Sequence, residues 1–173
     1  MKGHIFGVGI DILDIRRLHR IVSRSDPSRS RFIKRILSSE ELSSTEWKEI
    51  VGDADDTSKK SLTGAASSHS EKELLYLANR WTAKEAAFKA LYPFYRPTWK
   101  ELNVLKNQPI RLAYMFEPSN LHSAFFESLS FKKPTIHFRP ELRSELPMPL
   151  LNVSISHDGN YVVAIVVASS PPV

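Results

Sequence analysis

Apolar residues near the start of the chain fall on alternate positions. Over residues 4–12, Phe6, Val8, Ile10 and Ile12 share one face of a predicted strand, while Gly7, Gly9 and Asp11 share the other. The second face is bare backbone ending in a carboxylate, which lets a ligand approach the main chain and meet an acid at the strand's exit. The period then becomes helical. Over 15–23, Ile15, Leu18, Ile21 and Val22 point inward and Arg16, Arg17, Arg20 and Arg24 outward, with Asp14 as the N-cap. Asp26-Pro27-Ser28 breaks this pattern, and residues 31–37 then set Ile33, Ile36 and Leu37 among Arg29, Arg31, Lys34 and Arg35. Ser38-Ser39-Glu40-Glu41 has the spacing of a capping box and starts a further helix.

Residues 52–70 are Ser, Thr, Asp, Lys and Gly with few large apolar side chains, the composition of a flexible surface insertion. Helical spacing returns over 71–92, with Leu74, Leu77, Ala78, Trp81 and Phe88 as the stripe and Pro93 as the stop. Eight of the eleven prolines lie from Pro93 to Pro149, so that region reads as long loops around short strands at 110–116 and 135–138, with a short helix at 120–129. The last segment is a hairpin. Leu151, Val153 and Ile155 alternate with Asn152, Ser154 and Ser156, His157-Asp158-Gly159-Asn160 supplies the turn, and 161–168 is an apolar strand. These elements predict a single α+β domain over 1–173, a long helix packed on a small antiparallel sheet.

Composition narrows the chemistry. The 173 residues contain no cysteine, which excludes disulfides, thiolate metal sites and a cysteine nucleophile. Six scattered histidines make no zinc-type spacing. No apolar run is long enough for a membrane span, and the first residues read as a strand rather than a signal peptide. A net charge of +5, concentrated in the arginine-rich early helices, points to an acidic partner.

Glu85 stands out within RWTAKEAAFKAL. At about 100° per residue it lies roughly 40° from Trp81 and 60° from Phe88, at the edge of the buried face. It can be one half of an ordinary surface pair with Lys89, or a partly desolvated carboxylate that needs Lys89 or a metal beside it. Asp11 can be a turn residue or an acid at a strand end. His157 can be a turn histidine or a phosphate contact; it fails as part of a Ser/His/Asp triad because Asp158 adjoins it and no nucleophile elbow is present. Taken together, Asp11 and Glu85 suit Mg²⁺, which binds a pair of acids and substrate phosphate oxygens, and Lys89 and His157 would neutralise the remaining phosphate charge. The residues thus predict metal-assisted chemistry on a diphosphate substrate. GVG is no dinucleotide fingerprint, since the third glycine and the phosphate turn are missing.

Four segments in order, GVGIDILDIRRL, RFIKRILSSEEL, RWTAKEAAFKAL and VSISHDGNYVVAIVV, resemble the 4'-phosphopantetheinyl transferases of the holo-acyl-carrier-protein synthase type. The length, the serine-rich insertion and the proline-spaced segment resemble fungal mitochondrial members. The resemblance implies transfer of phosphopantetheine from coenzyme A to a serine of an acidic apo acyl carrier protein of fatty acid biosynthesis, with release of 3',5'-ADP and a mitochondrial location. It implies Asp11 and Glu85 as Mg²⁺ ligands, Lys89 on the coenzyme A diphosphate, and His157, supported by Asp158, in coenzyme A binding or proton abstraction. Glu85 and a metal-bound water are the other candidates for the base. Arg17 matches a first-helix arginine that meets the carrier's acidic helix, with Arg20 and Arg24 on the same face. The family's glycine-rich turn after the Glu85 helix is missing here, and its compact members form homotrimers. Two rival readings remain at this level: a basic nucleic-acid-binding module, for which the early helices offer only Phe32 and Trp47 as stacking aromatics, and a magnesium-dependent nucleotide diphosphate hydrolase, which needs no basic docking face.

Overall fold

A computed structural model describes residues 4–55, 71–106, 134–138 and 148–171. Strand β1 (Ile5–Asp14) leads into helices α1 (Ile15–Val22), α2 (Asp26–Ile36), α3 (Ser39–Ser43) and α4 (Thr45–Asp55). The long helix α5 (Glu71–Leu91) follows, then strands β2 (Leu102–Leu105), β3 (Thr135–Phe138), β4 (Leu150–Asp158) and β5 (Tyr161–Ser169). β1, β5 and β4 form an antiparallel sheet in that order, and β2 and β3 pair separately. Helix α5 packs on β1 and β5, so the architecture is the predicted α+β one. One core cluster lies between α5 and the sheets, around Ala86, Ala90, Leu91, Val104 and Val166. A second joins the other side of α5 to α1 and α2, around Leu18, Ile36, Leu77 and Val162.

The two faces of β1 are used differently from the sequence expectation. Gly7 and Gly9 turn toward α5, and it is the helix backbone, not a ligand, that takes the space their missing side chains leave. A Cβ on Gly7 would lie 1.9 Å from the Ala90 carbonyl oxygen, and one on Gly9 would lie 2.0 Å from the Ala86 carbonyl oxygen. On β5, Ala168 lies beside Gly7 and Ala164 beside Asp11, both fully buried, so small residues on strands and helix allow a very short helix-to-sheet distance. The branched residues of β1 face away from the helix: Val8, Ile10 and Ile12 are 55%, 57% and 63% exposed. Gly9→Ala should therefore force the helix off the strand. The expected loss is about 1–3 kcal/mol, the range for an overpacked core, read as a lowered melting temperature. An unchanged melting temperature would mean that the contact yields freely.

Local signals explain most boundaries. The Asp14 carboxylate accepts from the Arg16 amide at 2.9 Å and caps α1. Asp26-Pro27, expected to separate helices, instead opens α2, because proline in a first turn needs no N–H; Ser25 is the cap. The capping box at Ser38 is formed, with Ser38 N–H donating to Glu41 Oε2 at 2.8 Å and Glu41 N–H to Ser38 Oγ at 3.2 Å. The hairpin turn is shorter than expected: His157 and Asp158 belong to β4, and Gly159 and Asn160 make the two-residue turn, Gly159 having φ +52°. The first residues of the predicted insertion, Gly52 to Asp55, complete α4. The rest of that insertion, the strand expected over 110–116 and the helix over 120–129 lie outside the described residues. The strand over 135–138 is formed as β3.

One buried ion pair ties the helices to the second sheet. Lys84 and Glu41 are fully buried, and their ammonium and carboxylate meet at 2.6 Å. Lys84 Nζ also donates to the Ile36 carbonyl at 2.6 Å and the Trp99 carbonyl at 2.9 Å. Glu41 Oε1 accepts from the Val104 amide at 2.9 Å, so the carboxylate joins α3 to β2 as well. Burial still pushes the Lys84 ammonium below its usual pKa, with Glu41 acting in the opposite direction.

Candidate functional site

β1 and α5 bring together three of the predicted residues. Asp11 is the third helix-facing position of β1 after Gly7 and Gly9, and Lys89 reaches it across the gap. Its ammonium donates to Asp11 Oδ1 at 2.8 Å and to the Ile10 carbonyl at 2.9 Å. Lys89 therefore bridges two elements and does not form the local helix pair with Glu85 that is its simplest alternative. Glu85 lies half-buried one turn before Lys89. Burial raises its carboxyl pKa, and the negative charge of Asp11 raises it further. The Trp81 indole, Lys89 and Arg35 act in the opposite direction.

This electrostatic pattern fits a cation. Two carboxylates from different elements stand close enough to repel, and the protein offers Lys89 as one counter-charge. Among the described residues no group of three or more His, Asp or Glu converges. A metal at Asp11 and Glu85 would thus keep most positions for water or phosphate oxygens, which suits Mg²⁺.

His157 stands apart from this group. It is in register with Val162 of β5, which pairs with Leu13 of β1, so it shares the helix-facing side of the sheet with Asp11 but lies at the far strand. Strand spacing puts its Cα roughly 12 Å from that of Asp11. It is exposed, as is Asp158, and it lies on the opposite face from Ser154 and Ser156. All three lie on the edge strand β4, but strand alternation keeps the serines off the histidine's face.

Arg17 and Arg20 are exposed on α1, and Arg24 is exposed just beyond its C-cap Ser23. The Arg17 guanidinium lies 5.7 Å from the centre of the Trp81 ring, so this basic face begins directly beside the Glu85 helix. Sequence reasoning missed Arg35, which acts on Glu85 and stacks on Trp99 at 5.8 Å. It was hidden among other arginines, and only the contact with Trp99, 64 positions away in a loop, separates it from them.

A family model described as the 4'-phosphopantetheinyl transferase superfamily matches residues 7–166. The chain belongs to this superfamily. The matched span includes Asp11, Glu85, Lys89 and His157, so the three elements that carry them, β1, α5 and β4, lie within the matched domain. A holo-acyl-carrier-protein synthase of Mycoplasmoides gallisepticum is 29% identical over 164 residues, covering 95% of this chain and 96% of that protein. The same fold is seen in the holo-ACP-synthase of Plasmodium yoelii, with a TM-score of 0.58, 18% identity and 98% of both chains covered. It is seen again in the Helicobacter pylori enzyme solved in complex with coenzyme A, with a TM-score of 0.52, 21% identity and 93% of this chain and 98% of that chain covered.

Proposed function

We propose that this chain transfers the 4'-phosphopantetheine group of coenzyme A to a serine hydroxyl of an apo acyl carrier protein and releases 3',5'-ADP. The observation that carries this reading is the meeting of Asp11, Glu85 and Lys89 at the contact of β1 with α5, inside a phosphopantetheinyl transferase domain. Its chemistry agrees with the coenzyme A named for the Helicobacter pylori structure.

In this mechanism Asp11 and Glu85 hold Mg²⁺. Held there, it would supply charge neutralisation for the diphosphate. Lys89 moves from Asp11 to a diphosphate oxygen and stabilises the departing 3',5'-ADP. The carrier serine attacks the β-phosphorus, and its proton passes to Glu85, His157 or a water at the cation site. Coenzyme A is longer than the gap between Asp11 and His157, so one substrate molecule reaches both, whereas Asp158, in register with Tyr161, falls on the other face and does not support the histidine as expected.

The arginine face of α1 and the residues just after it dock the carrier, whose acidic helix lies against Arg17, Arg20 and Arg24. Arg17→Glu should raise the carrier KM about tenfold or more and leave coenzyme A affinity unchanged; a normal carrier KM would remove Arg17 from the docking face. The outward side of β1 and β5 supports self-association, as a homotrimer. Val8, Ile10, Ile12, Tyr161, Val163 and Ile165 form one exposed apolar surface, more than an isolated domain normally leaves to water. A monomer in sedimentation velocity would end that reading. The location proposed is mitochondrial, on the resemblance to fungal mitochondrial members, and recovery from cytosol with no matrix pool would overturn it.

The deciding experiment is the intact mass of an apo acyl carrier protein after incubation with this chain, coenzyme A and Mg²⁺, with a parallel EDTA sample. A gain of one phosphopantetheine group that EDTA prevents is the expected result. Release of 3',5'-ADP without a mass gain would instead make the protein a hydrolase.

A further inference from the structure

Arg35 occupies an unusual place. It is exposed at the end of α2, and the structure gives it no ion pair among the described residues. Its guanidinium stacks on the ring of Trp99 at 5.8 Å, and Trp99 in turn packs against Trp81 with ring centroids 5.9 Å apart. Its charge acts on the carboxyl of Glu85.

Its position is fixed from below by one buried group. Lys84 Nζ holds the carbonyl of Ile36, the residue after Arg35, and the carbonyl of Trp99, the residue under the Arg35 guanidinium. Lys84 is also the residue before Glu85. A single ammonium therefore sets the α2 backbone beside Arg35, the ring on which Arg35 rests, and the helix that carries the acid. An arginine with one face on an aromatic ring keeps its N–H edge free for a planar or tetrahedral anion.

Charge balance indicates which anion. The two carboxylates, Lys89, a divalent cation and a doubly charged diphosphate together leave one negative charge uncancelled, and a cation beside Glu85 cancels it. We propose that Arg35 is a second phosphate-binding residue of the site, gripping a phosphate of coenzyme A on the α2 side of Glu85, with Trp99 as its positioning residue. The proposal rests on the transferase reading for the identity of the substrate. It separates Arg35 from the neighbouring arginines of α1, which serve the carrier.

Binding and turnover together test it. Coenzyme A affinity of the full chain is measured by titration calorimetry with and without Mg²⁺, and KM values for coenzyme A and for the carrier are measured separately. Arg35→Gln should weaken coenzyme A binding about tenfold or more in both conditions, the usual effect of losing a hydrogen bond to a charged group, and leave the carrier KM unchanged. Arg35→Lys should recover part of the affinity, and Trp99→Leu should lose affinity with Arg35 intact. Unchanged coenzyme A affinity in Arg35→Gln, or a rise confined to the carrier KM, would overturn the assignment. Failure of the transferase reading looks different: the wild-type chain would bind coenzyme A and modify no carrier, while the calorimetric comparison would still decide Arg35.

Discussion

Asp11→Ala and Glu85→Ala should each lower phosphopantetheine transfer by about a thousandfold or more while the protein stays folded. The activity loss follows from the proposed role: each removes one of only two protein ligands from the cation that neutralises the diphosphate, an effect worth several kcal/mol in the transition state. Stability should respond differently. Burial and Asp11 both raise the Glu85 pKa, which means that its ionised form is disfavoured in the folded protein. Truncating either acid relieves that repulsion, although Asp11→Ala also frees Lys89 from its partner. Lys89 is well exposed, so water replaces the lost contact at small cost. Circular dichroism melts beside single-turnover assays separate the two effects. A melting temperature more than a few degrees below wild type in Glu85→Ala would show that the acid is structural.

Glu41→Ala should do the reverse and threaten the fold itself. Its carboxylate accepts from the Lys84 ammonium and from the amides of Ser38 and Val104, all in a buried setting. Truncation leaves the ammonium with two carbonyls and no counter-charge, and leaves two amides without their acceptor. Breaking a buried pair from one side typically costs about 3–5 kcal/mol. For a chain of this length that lowers the melting temperature by about 10 °C or more. The double variant Glu41→Leu, Lys84→Met removes both charges at once and should recover a substantial part of the loss, because no uncompensated ion remains. A double variant as unstable as the single one would mean that the amide partners, rather than the ammonium, set the penalty.

Much of the site was legible because its residues sit on periodic elements. The strand alternation at Asp11 and the helical position of Glu85 and Lys89 could be read locally, and so could the caps at Asp14 and Ser38. What could not be read depends on contacts between distant segments. The glycines of β1 announce a close approach to backbone, but nothing near them says that a helix some eighty positions later makes it. The Lys84–Glu41 pair was invisible for the same reason: each looks like a surface charge until α3, α5 and β2 close around it. His157 moved from turn to strand because a glycine able to adopt positive φ lets two residues do the work that four were expected to do. The outward apolar side of β1 reverses the usual rule that branched residues mark the inner face, and only the closeness of α5 to Gly7 and Gly9 explains it.

The register of β1 against α5 works as a vernier. Gly7 meets Ala90 and Gly9 meets Ala86, so two steps along the strand match four along the helix. The rises agree, at about 6.7 Å and 6.0 Å. Two further steps bring the strand to Asp11. An inserted or deleted residue between Gly9 and Asp11 would send the strand acid to the opposite side of the sheet, and one between Glu85 and Ala86 would swing the helix acid about 100° away. The distance between the two carboxylates is therefore a matter of counting, and length changes in these two short intervals should be far more damaging than most substitutions within them.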